Sequence, residues 1–182
     1  MSDTHPWQTL SRRTVFDRGK FLRVESHTVR LSDGTVIQDW PWLITPDYVT
    51  VVAVTAKGEF LLFRQRKYAV EGETLAPVGG YLEPGENALG AAQRELREET
   101  GYESEEWTSL GSYAVDGNRG AGKANLFLAL NVRQTGERTS DDLEAQDLVL
   151  MGRQGVEAAL ARGEFKVLAW TAIVALALQR MP

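Results

Sequence analysis

The chain of 182 residues contains no cysteine. That excludes disulfide staples, thiolate zinc sites and a cysteine nucleophile, and it suits a reducing compartment, so a cytoplasmic location is expected. Histidine is nearly missing as well: His5 and His27 have no partner at a ligand-like spacing and read as incidental. There is no block of lysine or arginine, and the net charge is −5, so no nucleic-acid-coating surface is expected. Long apolar runs are lacking too. The opening MSDTHPWQTLSRR has no apolar stretch of the kind a secretory signal needs. The most hydrophobic segment, residues 167–178, is far shorter than the roughly 20 residues that cross a bilayer; it suits a buried helix, and no membrane partner is expected.

What is present is ordinary for a globular protein: 43% hydrophobic and 25% charged residues. A chain of this length buries roughly 70% of its unfolded surface and folds without staples. Residues 14–37 alternate in short runs, with a hairpin signal at Ser32-Asp33-Gly34, and predict two or three antiparallel strands. VTVVAVT, residues 49–55, has the apolar, β-branched character of a central strand. Lys57-Gly58 marks a turn, and EFLLFRQRKY a strand that pairs with it. Pro77-Val78-Gly79-Gly80 reads as a glycine-rich loop running on to Glu86. Asn87 is a good N-cap for a helix over Ala88–Thr100, which Gly101 closes. Strands are expected again at 107–114 and 124–132, with loops at 115–123 and 134–142. A last strand at 148–151 and helices at 154–162 and 165–180 complete the chain. Strands, a helix, strands, then helices argue for α+β with a mixed sheet. The expected division is an N-terminal β extension over 1–46 and a main domain over 47–182.

One stretch carries chemistry: GYLEPGENALGAAQRELREETGY, residues 80–102. Glu95, Glu98 and Glu99 stand at helical offsets of three and four, which brings three carboxylates onto one face within about 5–6 Å of each other. Their repulsion needs an offset. Arginines on neighbouring turns, Arg94 and Arg97, would make this a solvated face; hard divalent cations such as Mg²⁺ or Mn²⁺, which take oxygen ligands, are the other answer. The glycine loop before the helix and Glu86 at its entry favour the second.

Gly80, five residues, Glu86, seven residues, then Arg94-Glu95-Leu96-Arg97-Glu98-Glu99-Thr100-Gly101-Tyr102 resembles the Nudix box at every specified position. The resemblance implies a Nudix fold, a mixed sheet sandwiched between helices, with extra N-terminal antiparallel strands. It implies Glu95 and Glu99 as direct metal ligands, Glu98 as a ligand or the holder of a metal-bound water, and the Gly79 carbonyl as a further oxygen. Arg94 would hold one of the carboxylates in place, and Gly80 would permit the tight loop. The implied reaction is Mg²⁺-dependent attack of water on a diphosphate, with Mn²⁺ as a possible substitute.

Beyond the box, the chain more loosely resembles ADP-ribose pyrophosphatases and related nucleoside-diphosphate-sugar hydrolases over residues 14–180. That branch often has Arg-Gln-any-Arg at a strand end; here it is Arg64-Gln65-Arg66-Lys67, which makes Arg66 and Lys67 the expected phosphate contacts. A lysine there keeps the charge and loses the bidentate fork. The branch's Glu-Leu-Pro-Ala-Gly loop is Ala76-Pro77-Val78-Gly79-Gly80 here, and Asp116 stands near a place usually held by proline. A nucleotide-derived substrate is therefore expected: ADP-ribose, another nucleotide sugar, or a dinucleotide such as FAD or NADH. Diadenosine polyphosphates and nucleoside triphosphates are the rival substrates, and a non-cleaving nucleotide sensor the rival from another class. In the late acidic loop Glu144 is the candidate base or proton relay, with Asp147 second. Trp40, Trp42 or Phe21 would stack on a base, and the N-terminal strands would form a homodimer.

Overall fold

The computed structural model describes residues 7–139 and 146–181. In chain order the elements are β1 (Gln8–Asp17), β2 (Arg23–Arg30), β3 (Val36–Ile44), β4 (Tyr48–Thr55), β5 (Glu59–Gln65), β6 (Thr74–Ala76), β7 (Val78–Tyr81), α1 (Ala88–Thr100), β8 (Tyr102–Glu103), β9 (Glu106–Asp116), β10 (Gly120–Gln134), β11 (Gln146–Gly152), α2 (Arg153–Ala161) and α3 (Leu168–Arg180). The class is α+β, as expected. By backbone contact the chain forms two compact units: Met1–Asp47 with Tyr113–Lys123, and Tyr48–Ser112 with Ala124–Pro182.

In the first unit β1, β2 and β3 form an antiparallel meander. The turn at Ser32-Asp33-Gly34 forms as expected: Gly34 takes a left-handed φ of 87°, the Leu31 N–H donates to the Thr35 carbonyl at 2.8 Å, and the Thr35 N–H donates to the Asp33 side chain at 2.9 Å. Among its described residues only His27 and Val29 are buried. His27 is not incidental. Its Nε2 lies 2.9 Å from a Glu25 oxygen and its ring stacks on Trp42, with centroids 5.5 Å apart.

The second unit is built on β10, β4, β5 and β11, with β10 parallel to β4 and the other pairs antiparallel. Each of the central strands is apolar on both sides, and the two sides face different helices. Val52, Val54, Phe60, Leu62, Leu126 and Leu128 pack with α2 and α3. Val49, Val51, Ala53, Leu61, Phe63, Phe127 and Ala129 pack with α1. This double burial is why 49–55 is a continuous apolar run rather than an alternating one.

Three expectations need correction. Within the segment 77–80, residues 78–80 belong to a strand, β7, because its backbone pairs with β4 from Val51–Val78 to Tyr48–Tyr81. Strands β9 and β10 run into the expected loop at 115–123 and leave a turn at 117–119. There the Asp116 carboxylate accepts from the N–H groups of Asn118 and Arg119 at 2.8 and 2.9 Å, replacing ladder bonds with a side-chain cap. Helix α3 starts at Leu168, not Phe165: Val167 is still extended, while Phe165 is only 3% exposed and belongs to the core. No helix among the described residues is long and apolar enough to cross a membrane.

Candidate active site

The second unit positions its site by letting two strands part. Strands β4 and β5 pair at Ala53–Leu61 and Val54–Phe60. Beyond that point β7 takes over the partner edge of β4, and β6 that of β5. A cavity of about 310 Å³ opens there, with Tyr48, Thr50, Phe63, Gln65, Lys67, Gly79, Gly80, Tyr81, Glu99, Gln146 and Trp170 in its walls. A second hollow of about 600 Å³ beside Ala69–Gly72 is larger, but it is an open dish; its Lys166 ammonium donates to the Glu71 carbonyl at 2.7 Å. Glu99 lies in the wall of the smaller cavity, and Glu95 lies against Gly80, which also lines it.

Helix α1 presents those acids to β7. Its start is capped by Asn87, whose side chain accepts from the Gly90 N–H at 2.9 Å, and its end by Gly101 at φ 74°. With Leu96 fully buried, Glu99 is drawn inward to 9% exposure. The Glu99 carboxylate accepts from the Gly79 N–H at 3.1 Å. Glu95 lies against the Cα of Gly80, where a Cβ would stand 2.1 Å from its Oε1. Only a residue without a side chain leaves room for that carboxylate.

Arg94 ties the rest together. Its Nε and Nη2 donate to the two Glu86 oxygens at 3.0 and 2.9 Å, a bidentate fork. Its Nη1 donates to Glu95 at 2.9 Å and to Glu98 at 3.1 Å, and Nη2 also reaches the Tyr81 carbonyl. The fork on Glu86 holds that carboxyl below its usual range and, with the Glu95 and Glu98 bonds, raises the guanidinium further above its own. One arginine thus spans the box loop and the helix. Tyr48, desolvated in the cavity wall, has its hydroxyl pKa pushed up by burial and by Tyr81, so it stays a neutral donor.

The other expected residues fall in different places. Lys67 lines the cavity with Glu99; Arg66 lies outside its walls and faces Glu73 at 3.8 Å with a mostly exposed side chain. Trp40, Trp42 and Phe21 belong to the first unit. Trp40 donates its indole N–H to the Asn118 carbonyl at 2.9 Å and meets Trp7 edge-on, Trp42 stacks on His27, and Phe21 is 62% exposed with the Lys20 ammonium over its ring. Glu144 lies outside the described residues. Asp147 is exposed on β11 opposite Arg64. The sequence reading missed Tyr48, Gln65 and Trp170. Gln65, only 6% exposed, was legible in principle as a polar residue inside an apolar strand; Trp170 was hidden in a helix that reads as core.

Comparison with known proteins places this geometry. The chain belongs to the Nudix family: the NUDIX domain matches residues 45–171. Ahead of it, residues 7–43 match the nucleoside diphosphate sugar hydrolase N-terminal domain. Two relatives are the methanol dehydrogenase activator of Bacillus methanolicus, 30% identical over 108 residues, and the ADP-ribose pyrophosphatase of Bacillus subtilis (strain 168), 28% identical over 122 residues. These matches take in 59% and 67% of this chain and span 57% and 65% of the relatives' lengths. A crystal structure of an ADP compounds hydrolase shares the fold, with a TM-score of 0.80 at 22% identity over 95% of this chain and 92% of that one.

Nudix hydrolases need a divalent metal ion. The donor chemistry on α1 fits one, since Glu95, Glu98 and Glu99 offer carboxylate oxygens only, the ligand type hard cations prefer. Among the described residues no three His, Cys, Asp or Glu side chains already form a ready cage. Arg94 engages Glu95 and Glu98 instead.

Proposed function

We propose that the chain is a Mg²⁺-dependent pyrophosphohydrolase that cleaves the diphosphate of ADP-ribose or another nucleotide sugar, giving a nucleoside monophosphate and a phosphorylated second product. The observation that carries this is the meeting of Glu99, Gly79, Gly80 and Lys67 in one cavity wall, backed by the carboxylates of Glu95 and Glu98. In this reading Glu95, Glu98, Glu99 and the Gly79 carbonyl hold magnesium, and manganese can replace it. When bound, the metal neutralises the diphosphate and lowers the pKa of a water molecule.

The chain's own groups do the rest. Lys67 binds a phosphate oxygen as a point charge. Arg94 keeps Glu95 and Glu98 oriented, and the Gly79 N–H keeps Glu99 oriented, so little reorganisation is left for the moment of reaction. The neutral Tyr48 hydroxyl and the Gln65 amide are placed to orient the substrate. Trp170 and Phe63 keep the wall dry. Glu144, or Asp147, takes the proton of the attacking water. One of Trp40, Trp42 or Phe21 supplies the stacking surface for the base.

We place residues 1–46 as the β extension that makes a homodimer. Leu10, Val15, Phe16, Phe21 and Val36 in that segment are at least 40% exposed, an apolar surface that a second copy would cover. A reducing, nucleotide-containing compartment such as the cytoplasm suits a cysteine-free enzyme of this kind. The test is a substrate panel with Mg²⁺: ADP-ribose, other nucleotide sugars, FAD, NADH and diadenosine polyphosphates. Release of a monophosphate from ADP-ribose or a nucleotide sugar is expected; no turnover of any of them would reject the proposal.

A further inference from the structure

We propose that Gln65 determines specificity in the cavity: its amide, with the hydroxyls of Thr50 and Tyr48, forms a neutral subsite that reads the hydroxyl groups of the sugar beyond the diphosphate. This rests on the reading of the cavity as the substrate site of a nucleotide-sugar hydrolase. Six polar or charged residues are buried among the described ones. Four of them have side-chain hydrogen bonds: His27 meets Glu25, Thr74 donates to the Leu75 and Glu164 carbonyls, Glu99 accepts from the Gly79 N–H, and Thr100 donates to the Leu96 carbonyl. The other two are Thr50 and Gln65, 2% and 6% exposed, whose side chains have no hydrogen-bond partner among the described residues. Both stand in the wall of the cavity. An unpaired amide or hydroxyl in the interior costs free energy that an apolar side chain of the same shape would not. Strand β5 is apolar from Phe60 to Phe63, so a leucine at 65 would serve packing as well. The glutamine is suited to a partner that enters the cavity.

The strands hold these groups in place. Gln65 ends β5 with its backbone paired on both sides, opposite Thr74 of β6 and Gln146 of β11, so its amide is carried by a fixed strand end. Thr50 stands on β4 opposite Gly79, and its Oγ1 lies 3.5 Å from the place a Cβ on Gly79 would take. Tyr48, two residues earlier on β4, adds a neutral hydroxyl that also has no hydrogen-bond partner among the described residues. The chemistry of the three groups selects the occupant. Charge in the wall is confined to Lys67 and Glu99. An amide offers donors and an acceptor, and a hydroxyl both donates and accepts. A phosphate only accepts, so it would leave the amide oxygen unsatisfied; it belongs with Lys67 and the metal. Sugar hydroxyls donate and accept, and they match all three groups. Phe63 and Trp170 in the same wall offer apolar surface to the C–H face of the ring.

The test uses the full chain with Mg²⁺ and two substrates. The first is the nucleotide sugar, ADP-ribose included, that the parent turns over fastest. The second is the propyl ester of the same nucleoside diphosphate, which keeps both phosphates and the scissile bond but has no hydroxyl beyond them. The parent is expected to favour the sugar by about tenfold or more in kcat/KM, as sites built to bond a hydroxyl do. Gln65→Leu and Thr50→Val keep the approximate shape and remove the hydrogen-bonding groups, and each should lower that ratio at least about threefold. A merely structural role would slow both substrates alike and leave the ratio where it was. Both variants should melt at or above the parent, because each removes an unpaired buried group; a Gln65→Leu chain that melts well below it would make Gln65 a structural residue and overturn the proposal. A ratio unchanged in either variant, as water alone in the subsite predicts, would also overturn it while leaving the hydrolase reading intact. So would a parent that cleaves sugar and propyl ester equally well. A parent that cleaves no nucleotide sugar would overturn both.

Discussion

A methyl group added at Gly79 and one added at Gly80 would meet different neighbours. At Gly79 the new Cβ would stand 2.5 Å from the backbone oxygen of Val49, and strand β4 cannot yield without losing its own pairing. At Gly80 it would meet the Glu95 carboxylate, the far end of a flexible side chain. Gly79→Ala is therefore expected to destabilise the fold by about 1–3 kcal/mol, seen as a lower midpoint in urea. Gly80→Ala should melt near the parent and lose turnover, because Glu95 has moved; equal losses of stability in the two variants would contradict this. Glu99→Gln retains an oxygen for the Gly79 N–H and should fold normally, yet turn over at least about 100-fold more slowly; activity within twofold of the parent would remove Glu99 from the metal site. Lys67→Ala should raise KM more than it lowers kcat, since a phosphate contact acts on ground and transition states alike. The placing of Glu95, Glu98 and Glu99 on one face was legible because helical period alone decides it. The neighbourhood of Gln65 was not, because it depends on where β4 and β5 part.

Among the elements, α1 was the most legible because both its ends are written in local chemistry. Asn87 and Gly101 cap it where their residue types demand. Asn87→Ala should cost about 1 kcal/mol, the usual worth of an N-cap. Gly101→Ala should cost more: the position has a left-handed φ of 74°, and a Cβ there would lie 2.4 Å from the Gly136 carbonyl oxygen. Urea titrations of the two variants compare them directly, and a milder effect at Gly101 would count against its role as the cap of α1. Strand β7 was the least legible. Pro77 and two glycines have the composition of a loop, and Val78–Tyr81 is a strand only because β4 offers its edge from Tyr48 to Val51. The shortened turn at 117–119 has a similar cause, since the Asp116 side chain caps backbone donors that composition alone leaves open.

At the scale of the molecule, the two units differ in how they are held together. The second has a large apolar cluster on each side of its sheet, whereas the first buries only His27 and Val29 among its described residues. A unit with so little interior and so many exposed apolar side chains is suited to pairing with a second copy. Light scattering should therefore give twice the 20.2 kDa chain mass, and Phe16→Glu should lower it; a parent mass of one chain would contradict the dimer. The layered sheet was legible in the doubly apolar strands, but the start of β1 at Gln8 was not, because it lies ahead of the alternating pattern that announced the strands. The claim on which the functional account stands is that the acids of α1 grip divalent ions. It is tested most directly by titrating Mn²⁺ into the parent chain and into Glu99→Gln, with and without a non-hydrolysable nucleotide diphosphate, and reading bound metal by electron paramagnetic resonance. Saturable binding by the parent, weakened about 10- to 100-fold in the variant, is the expected result. Absence of binding in the parent under both conditions would contradict it.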